Sequence, residues 1–508
     1  MNLLKDPWIP VRTDGGTGTF RLLTYQQLLC ETGNWQVSLP RDDMELACVQ
    51  LLACMTQVMF LPGDDKVLRG RIAMPLSPKE FAVGVKPCQD WFDLDHPTQP
   101  FMQSRGVKAE KVTPIQKILV GLPEGNNHAF FNEVGEVMNL SGSLTAIALF
   151  NQASNANSMG GGFKGNLRGG SNPYLTPVNI LVHGADLRET VWRNVLTLPR
   201  IQKLLPGWQL DFERDQPTWV KPIHANETIK WNDIGLVQGL FWQPTRLELV
   251  HEPLLNACDV LEGAPTQVYS GFFKEKFKFA VDGLWPHPHG ARAATLVDGG
   301  LKWKFSAFNA ASPAWTQLTE FVVSRGVNDP DAREGSAPSG PVSQADEMGA
   351  GSLHLLVGGY CANQASIVAR RHELISLAQG WRDDKERLPK LVRIGKEAKK
   401  ALRGKLYFAV HGNKDKGLKG IGAAIHETAE KLFYARTESL IHETFSNELT
   451  WKEWAAARSV FAKQIADHCR AIFEELTDPY AMKPELIPVI AWTRRNLNND
   501  LKKLMEEA

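Results

Sequence analysis

The spacing of apolar residues changes character along this chain. Met44, Cys48, Leu51, Leu52, Met55 and Met59 recur at helical intervals, and Asp42 followed by Glu45 reads as an N-cap with its reciprocal capping residue. A buried helix is therefore expected from 42 to about 59, with Asp42 and Asp43 read as helix-capping residues and not as a catalytic pair. Between 100 and 360 the apolar positions come in short alternating runs broken by Gly and Pro, as in an irregular mixed α/β body. Within that body the Gly-, Ser-, Ala- and Pro-rich stretch 335–351 reads as a surface loop, and the mostly apolar run 353–357 resumes the fold.

After about residue 366 the pattern turns helical, with helices expected over 366–380, 389–411, 421–446, 450–477 and 483–506. The fourth carries the clearest stripe, Trp454, Ala457, Phe461, Ile465, Cys469, Ile472 and Leu476, opened by a Thr450/Glu453 capping box and closed by Asp478-Pro479. Four long helices joined by short connections imply an antiparallel bundle. The expected class is α+β: a mixed α/β N-terminal domain over 1–384, a charged linker at 382–387, and a four-helix bundle over 385–508. No internal repeat is evident.

Composition narrows the function. The 508 residues are 43% hydrophobic and 22% charged, with 57 Lys and Arg against 56 Asp and Glu, which excludes a disordered or globally polyelectrolyte chain. The charge is nonetheless segregated: residues 385–420 hold twelve basic and three acidic side chains, a net charge of +9. Lys390, Arg393, Lys396, Lys400 and Arg403 follow every three or four residues and share one helix face, which suits a nucleic-acid strand; the alternative is a solvated helix. Seven scattered cysteines without a Cys-x-x-Cys pair fit reduced thiols and a cytoplasmic chain. The best apolar stretch, 48–61, contains Gln50 and Gln57 and is too short to span a bilayer, so no membrane role is expected.

Candidate chemistry is sparse. In Phe272-Phe273-Lys274-Glu275-Lys276-Phe277-Lys278-Phe279, strand periodicity places Lys274, Lys276 and Lys278 on one face, and Lys302 and Lys304 repeat the idea. Such faces meet either phosphates or water. Gly160, Gly161, Gly162 and Gly165 formally satisfy G-x-G-x-x-G, but the residues before them, Asn155 to Met159, do not read as the strand that a dinucleotide site requires. Glycines there permit close approach of backbone N–H groups to a ligand, with Lys164 and Arg168 nearby; the alternative is a flexible turn. His287-Pro288-His289, His426-Glu427 and His442-Glu443 each lack a further ligand at metal-binding spacing, so no metal and no cofactor are expected.

Several blocks together resemble the large subunit of the type I-E CRISPR Cascade complex. They are Met1-Asn2-Leu3-Leu4 with Trp8-Ile9-Pro10-Val11, the Ser38 to Leu46 run, Thr145 to Gln152, Gly239 to Pro244, Gly283 to His289 and Asn363-Gln364-Ala365-Ser366, in the family's order. The resemblance implies a non-enzymatic subunit of an RNA-guided surveillance complex. Such a subunit recognises the protospacer-adjacent motif, helps open the duplex into an R-loop and recruits a helicase-nuclease. It implies that Gly160, Gly161 and Gly162 form the glycine loop that approaches the motif from the minor groove, with Lys276 reaching into that groove. Asn363, Gln364 and Ala365 would be the wedge that separates the strands, and Phe130, Phe131 and Asn132 the loop docking on the guide-RNA handle and a neighbouring subunit. Implied partners are the other Cascade subunits, the CRISPR guide RNA, double-stranded target DNA and the helicase-nuclease. The basic helix face is then expected to guide the displaced strand. Some relatives carry a cysteine cluster where this chain has only Cys258, so no zinc is expected.

Two other classes remain open on the residues alone. One is a metal- or nucleotide-dependent enzyme using the histidine and glycine segments; the other is a structural scaffold that bridges the guide handle and partner subunits without reading a motif.

Overall fold

The computed structural model describes residues 1–122, 135–170, 172–252, 267–297, 300–326, 335–364 and 366–507. It divides into two compact units: Met1–Ala310 with Glu320–Gly349 and Leu355–Leu374, and Ala311–Thr319 with Ala350–His354 and Ile375–Ala508.

The first unit is built around the Asp42–Met59 helix, in which every residue from Asp43 onward except Glu45 is buried. A helix apolar on all sides belongs in a core, and its polar members must then find partners. Gln50 Nε2 donates to Asn179 Oδ1 at 3.1 Å, and Gln57 exchanges bonds with the backbone of Leu196. The expected Asp42/Glu45 capping box does not form. Arg41 is the N-cap and turns its guanidinium to Asp43, while Glu45 accepts from Leu39 N at 3.0 Å.

The Val268–Glu275 strand pairs antiparallel with Thr113–Pro114, Leu140–Ser141 and, across a bulge between Val250 and His251, Arg246–Glu252. A second sheet runs in the order Ser366–Leu377, Leu353–Asn363, Asn179–Val182. The expected helix at 366–380 is thus a strand. Alternating exposure and the β-branched Ile367 and Val368 suit it to a sheet, and pairing with the apolar Leu353–Asn363 strand overrides local helix preference. The expected loop at 335–351 is also structured. Gly335–Ala337 pairs with Arg292–Val297, and Gly340–Glu347 is a helix whose buried Gln344 is held by the backbone of Val195 and Thr197.

In the second unit, helices Arg387–His411, Ile425–Ser446, Trp454–Ala481 and Ile487–Glu507 form the expected bundle. Leu391, Ala398, Leu402, Leu406, Phe433, Ile441, Phe461, Ile465, Ile472, Leu497 and Leu501 on these four helices are buried in its core. The third of these starts later than expected. Asn447 caps a separate short helix, Glu448–Lys452, in which Thr450 is buried, and Glu453 makes no side-chain cap. Pro479 does not stop the long helix, which ends two residues later at Ala481. Among the described residues no helix is long and apolar enough to cross a membrane.

Candidate nucleic-acid interface

The site grows from the end of a buried helix. Gly142–Ser154 opens with Ser141 Oγ accepting from Leu144 N, and its apolar residues are buried along its whole length. Asn155, Asn157 and Ser158 remain buried beyond its C-terminus, and the chain then surfaces at Gly161 and Gly162. Gly160, Gly161 and Gly162 take φ values of 79°, 55° and 87°, which side chains other than glycine rarely adopt. A Cβ at Gly160 or Gly161 would meet nothing within 4 Å, so the space over the loop is open and the need for glycine is conformational.

Lys276 lies against this loop. The expected lysine strand ends at Glu275, and residues 276–279 leave the sheet, which turns exposed Lys276 toward the glycines. Its Nζ donates to Gly161 O at 3.2 Å and stands 3.8 Å from where a Cβ of Gly162 would be. The neighbouring lysines do not share one solvent face as expected: Lys274 sits 5.6 Å over the ring of Phe163. Lys164 reciprocates, 5.5 Å over Phe279. Basic side chains and aromatic rings are therefore interleaved around the loop. On the Gly300–Phe305 strand, Lys302 and Lys304 are exposed as expected while Phe305 is buried.

Gln364 occupies the tip of the hairpin between Leu353–Asn363 and Ser366–Leu377, exposed and with φ 53°. Asn157 Nδ2 donates to its carbonyl at 3.2 Å. Three segments far apart in sequence are thus joined: Lys276 to the glycine loop, and the glycine loop's stem to the Gln364 tip. Asn363 is exposed beside it. Ala365, Phe130, Phe131, Asn132 and Cys258 lie outside the described residues.

Other candidates behave differently. Arg168, expected near a ligand, is 1% exposed and bonds Ser154 O, Asn155 Oδ1 and Asn179 Oδ1. Burial pushes its guanidinium down to about 9. It braces the stem of the loop and does not reach solvent. His287 and His289 are buried, with His289 N donating to His287 Nδ1 at 3.1 Å. Burial pushes both imidazoles down, His289 to about 4, with Arg168 adding to the effect. Among the described residues no group of three or more His, Cys, Asp or Glu side chains could hold a metal ion. On the basic helix, Arg403 pairs with Glu430 at 2.8 Å and Lys400 with Glu397 at 3.5 Å. Arg393 and Lys396 are exposed with no ion pair among the described residues, and Lys390 is half-buried.

Reasoning from sequence missed Asn157, whose side chain joins stem to hairpin, and the carboxylate of Asp43, taken as a capping group. Asp43 is instead enclosed by Arg41, Tyr360 and Arg370.

The family model described as CRISPR-associated protein Cse1 matches residues 2–472. The chain belongs to the Cse1 family. Among solved structures it is similar to Cse1 of Thermobifida fusca, with a TM-score of 0.75 at 17% identity over 100% of this chain and 98% of that one. Cse1 of Acidimicrobium ferrooxidans gives 0.70 at 17%, over 100% and 98% of the two chains. A chain of a structure titled "CRISPR RNA-guided surveillance complex" gives 0.64 at 15%, over 98% and 99%. The Cse1 fold thus extends over the whole chain, as the resemblance to the large Cascade subunit implies.

Proposed function

We propose that this Cse1-family chain is the target-recognition subunit of an RNA-guided Cascade complex. It reads the protospacer-adjacent motif through the minor groove, starts strand separation to form the R-loop, and helps recruit the helicase-nuclease, with no chemistry of its own. The observation that carries the reading is the meeting of Lys276, Gly160 to Gly162 and Gln364, held by bonds of 3.2 Å at Gly161 O and at Gln364 O. A lysine over left-handed glycines offers a cation and a bare backbone to a groove floor. Minor-groove edges are chemically degenerate, so shape and one cation suit them better than a set of directional side chains. In this reading the hairpin tip beside it enters the duplex next to the motif, where unstacking costs a few kcal/mol per step.

In this reading Phe130, Phe131 and Asn132 dock on the guide-RNA handle and a neighbouring Cascade subunit, and Ala365 completes the wedge. The body before residue 384 recognises the duplex, while Lys390, Arg393, Lys396, Lys400 and Arg403 of the bundle guide the displaced strand in the cytoplasmic complex. The test is reconstitution with the guide-RNA-bound partner subunits and a matched duplex whose adjacent motif is intact or scrambled. Loss of motif preference and of R-loop formation in Lys276→Ala and Gln364→Ala is expected. Unchanged binding and opening in both variants would refute the assignment. Equal affinity of the wild-type complex for the two duplexes would leave the scaffold role.

A further inference from the structure

Behind this interface lies a buried carboxylate that the reading above does not use. Asp43 is 5% exposed. Its Oδ1 accepts from Arg41 Nε at 3.0 Å and Arg370 Nη1 at 3.1 Å, and its Oδ2 from Arg41 Nη2 at 2.8 Å and the Tyr360 hydroxyl at 2.7 Å. Burial alone would raise this carboxyl, but Arg41, Tyr360 and Arg370 hold it below the ordinary value. Burial and then the Asp43 charge push the Tyr360 hydroxyl far up, so it stays a donor.

The partners of Asp43 sit on the elements that form the interface. Tyr360 precedes Gln364 on one strand of the hairpin and Arg370 follows it on the other, so one carboxylate grips both strands. On its far side the Tyr360 hydroxyl accepts from Asn151 Nδ2 at 2.6 Å, and Asn151 Oδ1 accepts from Asn155 Nδ2 at 3.0 Å. These two asparagines close the helix that runs on into the glycine loop. Arg41 Nη2 also donates to the carbonyl of Val120 at 2.8 Å, and Val120, Ala156 and Tyr360 form a small apolar cluster with Ile367. A buried charge with all its partners in place resists displacement, because any shift strands a charged or polar group.

We propose that Asp43 and Tyr360 are positioning residues for motif reading: they fix the hairpin tip relative to the glycine loop, so that Gln364 and Lys276 engage one duplex together. The inference rests on the recognition reading above. Neither residue touches the nucleic acid; both act through the hairpin.

Tyr360→Phe removes only the hydroxyl. In the reconstituted complex the ratio of affinities for motif-intact over motif-scrambled duplex should fall about tenfold, the scale of one hydrogen bond to a charged group. Assembly and affinity for the scrambled duplex should be retained. In a Gln364→Ala background the same change should move the ratio less than about twofold, because the tip it positions has already lost its side chain. Arg370→Ala, at a side chain 38% exposed, should act in the same direction and serves if Tyr360→Phe does not assemble. An unchanged ratio would overturn the inference, as would equal losses on both duplexes or a full effect surviving in the Gln364→Ala background. Failure of the recognition reading looks different: Gln364→Ala and Lys276→Ala would themselves keep the wild-type ratio, and the inference would fall with it.

Discussion

Replacing Gly161 separates two reasons for a bare loop: its backbone, and what comes near it. Gly161 has φ 55°, and a Cβ there meets nothing within 4 Å. Alanine therefore adds no clash inside the protein and incurs only the left-handed backbone cost, about 1 kcal/mol. Asparagine tolerates that conformation better and should destabilise less, yet its larger side chain fills the space over the loop. If a duplex backbone closes on the glycines, Gly161→Asn should weaken binding of the motif-bearing duplex by about tenfold, or ~1.4 kcal/mol, and by more than Gly161→Ala does. Stability and affinity would then rank the two variants in opposite orders. Urea unfolding of the purified chain gives the first ranking, and anisotropy titration of the reconstituted complex with labelled duplex gives the second. Wild-type affinity in Gly161→Asn, or an affinity order that simply follows stability, would refute the idea that DNA approaches this surface.

Acidification should destabilise the chain between pH 6.5 and about 4, because burial lowers His289 from 6.5 to about 4 and the unfolded chain binds a proton that the folded one refuses. The contribution is complete above pH 6.5 and is lost as pH falls, by up to roughly 3 kcal/mol, with His287 shifted in the same direction. Urea midpoints that stay level from pH 7 to 4.5 would contradict it. On the bundle, Arg393→Ala with Lys396→Ala should lower the salt slope for displaced-strand binding by roughly 1.4, at about 0.7 for each phosphate contact. Arg403→Ala should lower it less than either single change, since Glu430 at 2.8 Å already holds that guanidinium; an unchanged slope in the Arg393→Ala, Lys396→Ala double variant would argue against a strand on this face.

How far the fold was legible depended on whether burial repeats along the local chain. The Asp42–Met59 helix and the four bundle helices each carry a period that survives tertiary packing, and all five were expected close to where they lie. The segment beginning at Ser366 failed because its state is decided by a partner strand and not by its own residues. The same holds for 335–349, where Gly335–Ala337 needs Arg292–Val297 to be a strand at all, and Gln344 is buried only because Val195 and Thr197 are there to hold it. The caps were misplaced for a local reason. Arg41 prefers the charge of Asp43, and Asn447 captures the helix start that Thr450 and Glu453 were expected to make.

The candidate site was legible as residue types and hidden as an arrangement. Lys276, the three glycines and Gln364 could be named from the family resemblance, but the bonds joining them end on the carbonyls of Gly161 and Gln364. A backbone acceptor leaves no residue-type signature, so no spacing rule could have linked positions separated by 115 and 207 residues. Asp43 shows the converse. Its residue type was visible and gave the wrong role, since an aspartate before an apolar helix looks like a cap whether or not two arginines and a tyrosine enclose it. What distinguishes the two cases is burial, and burial here is produced by the hairpin that brings Tyr360 and Arg370 over the helix start. The surface proposed to read the motif and the buried carboxylate behind it therefore depend on the same two strands. A substitution in that hairpin should be judged by the ratio of motif-intact to motif-scrambled binding before it is judged by stability alone.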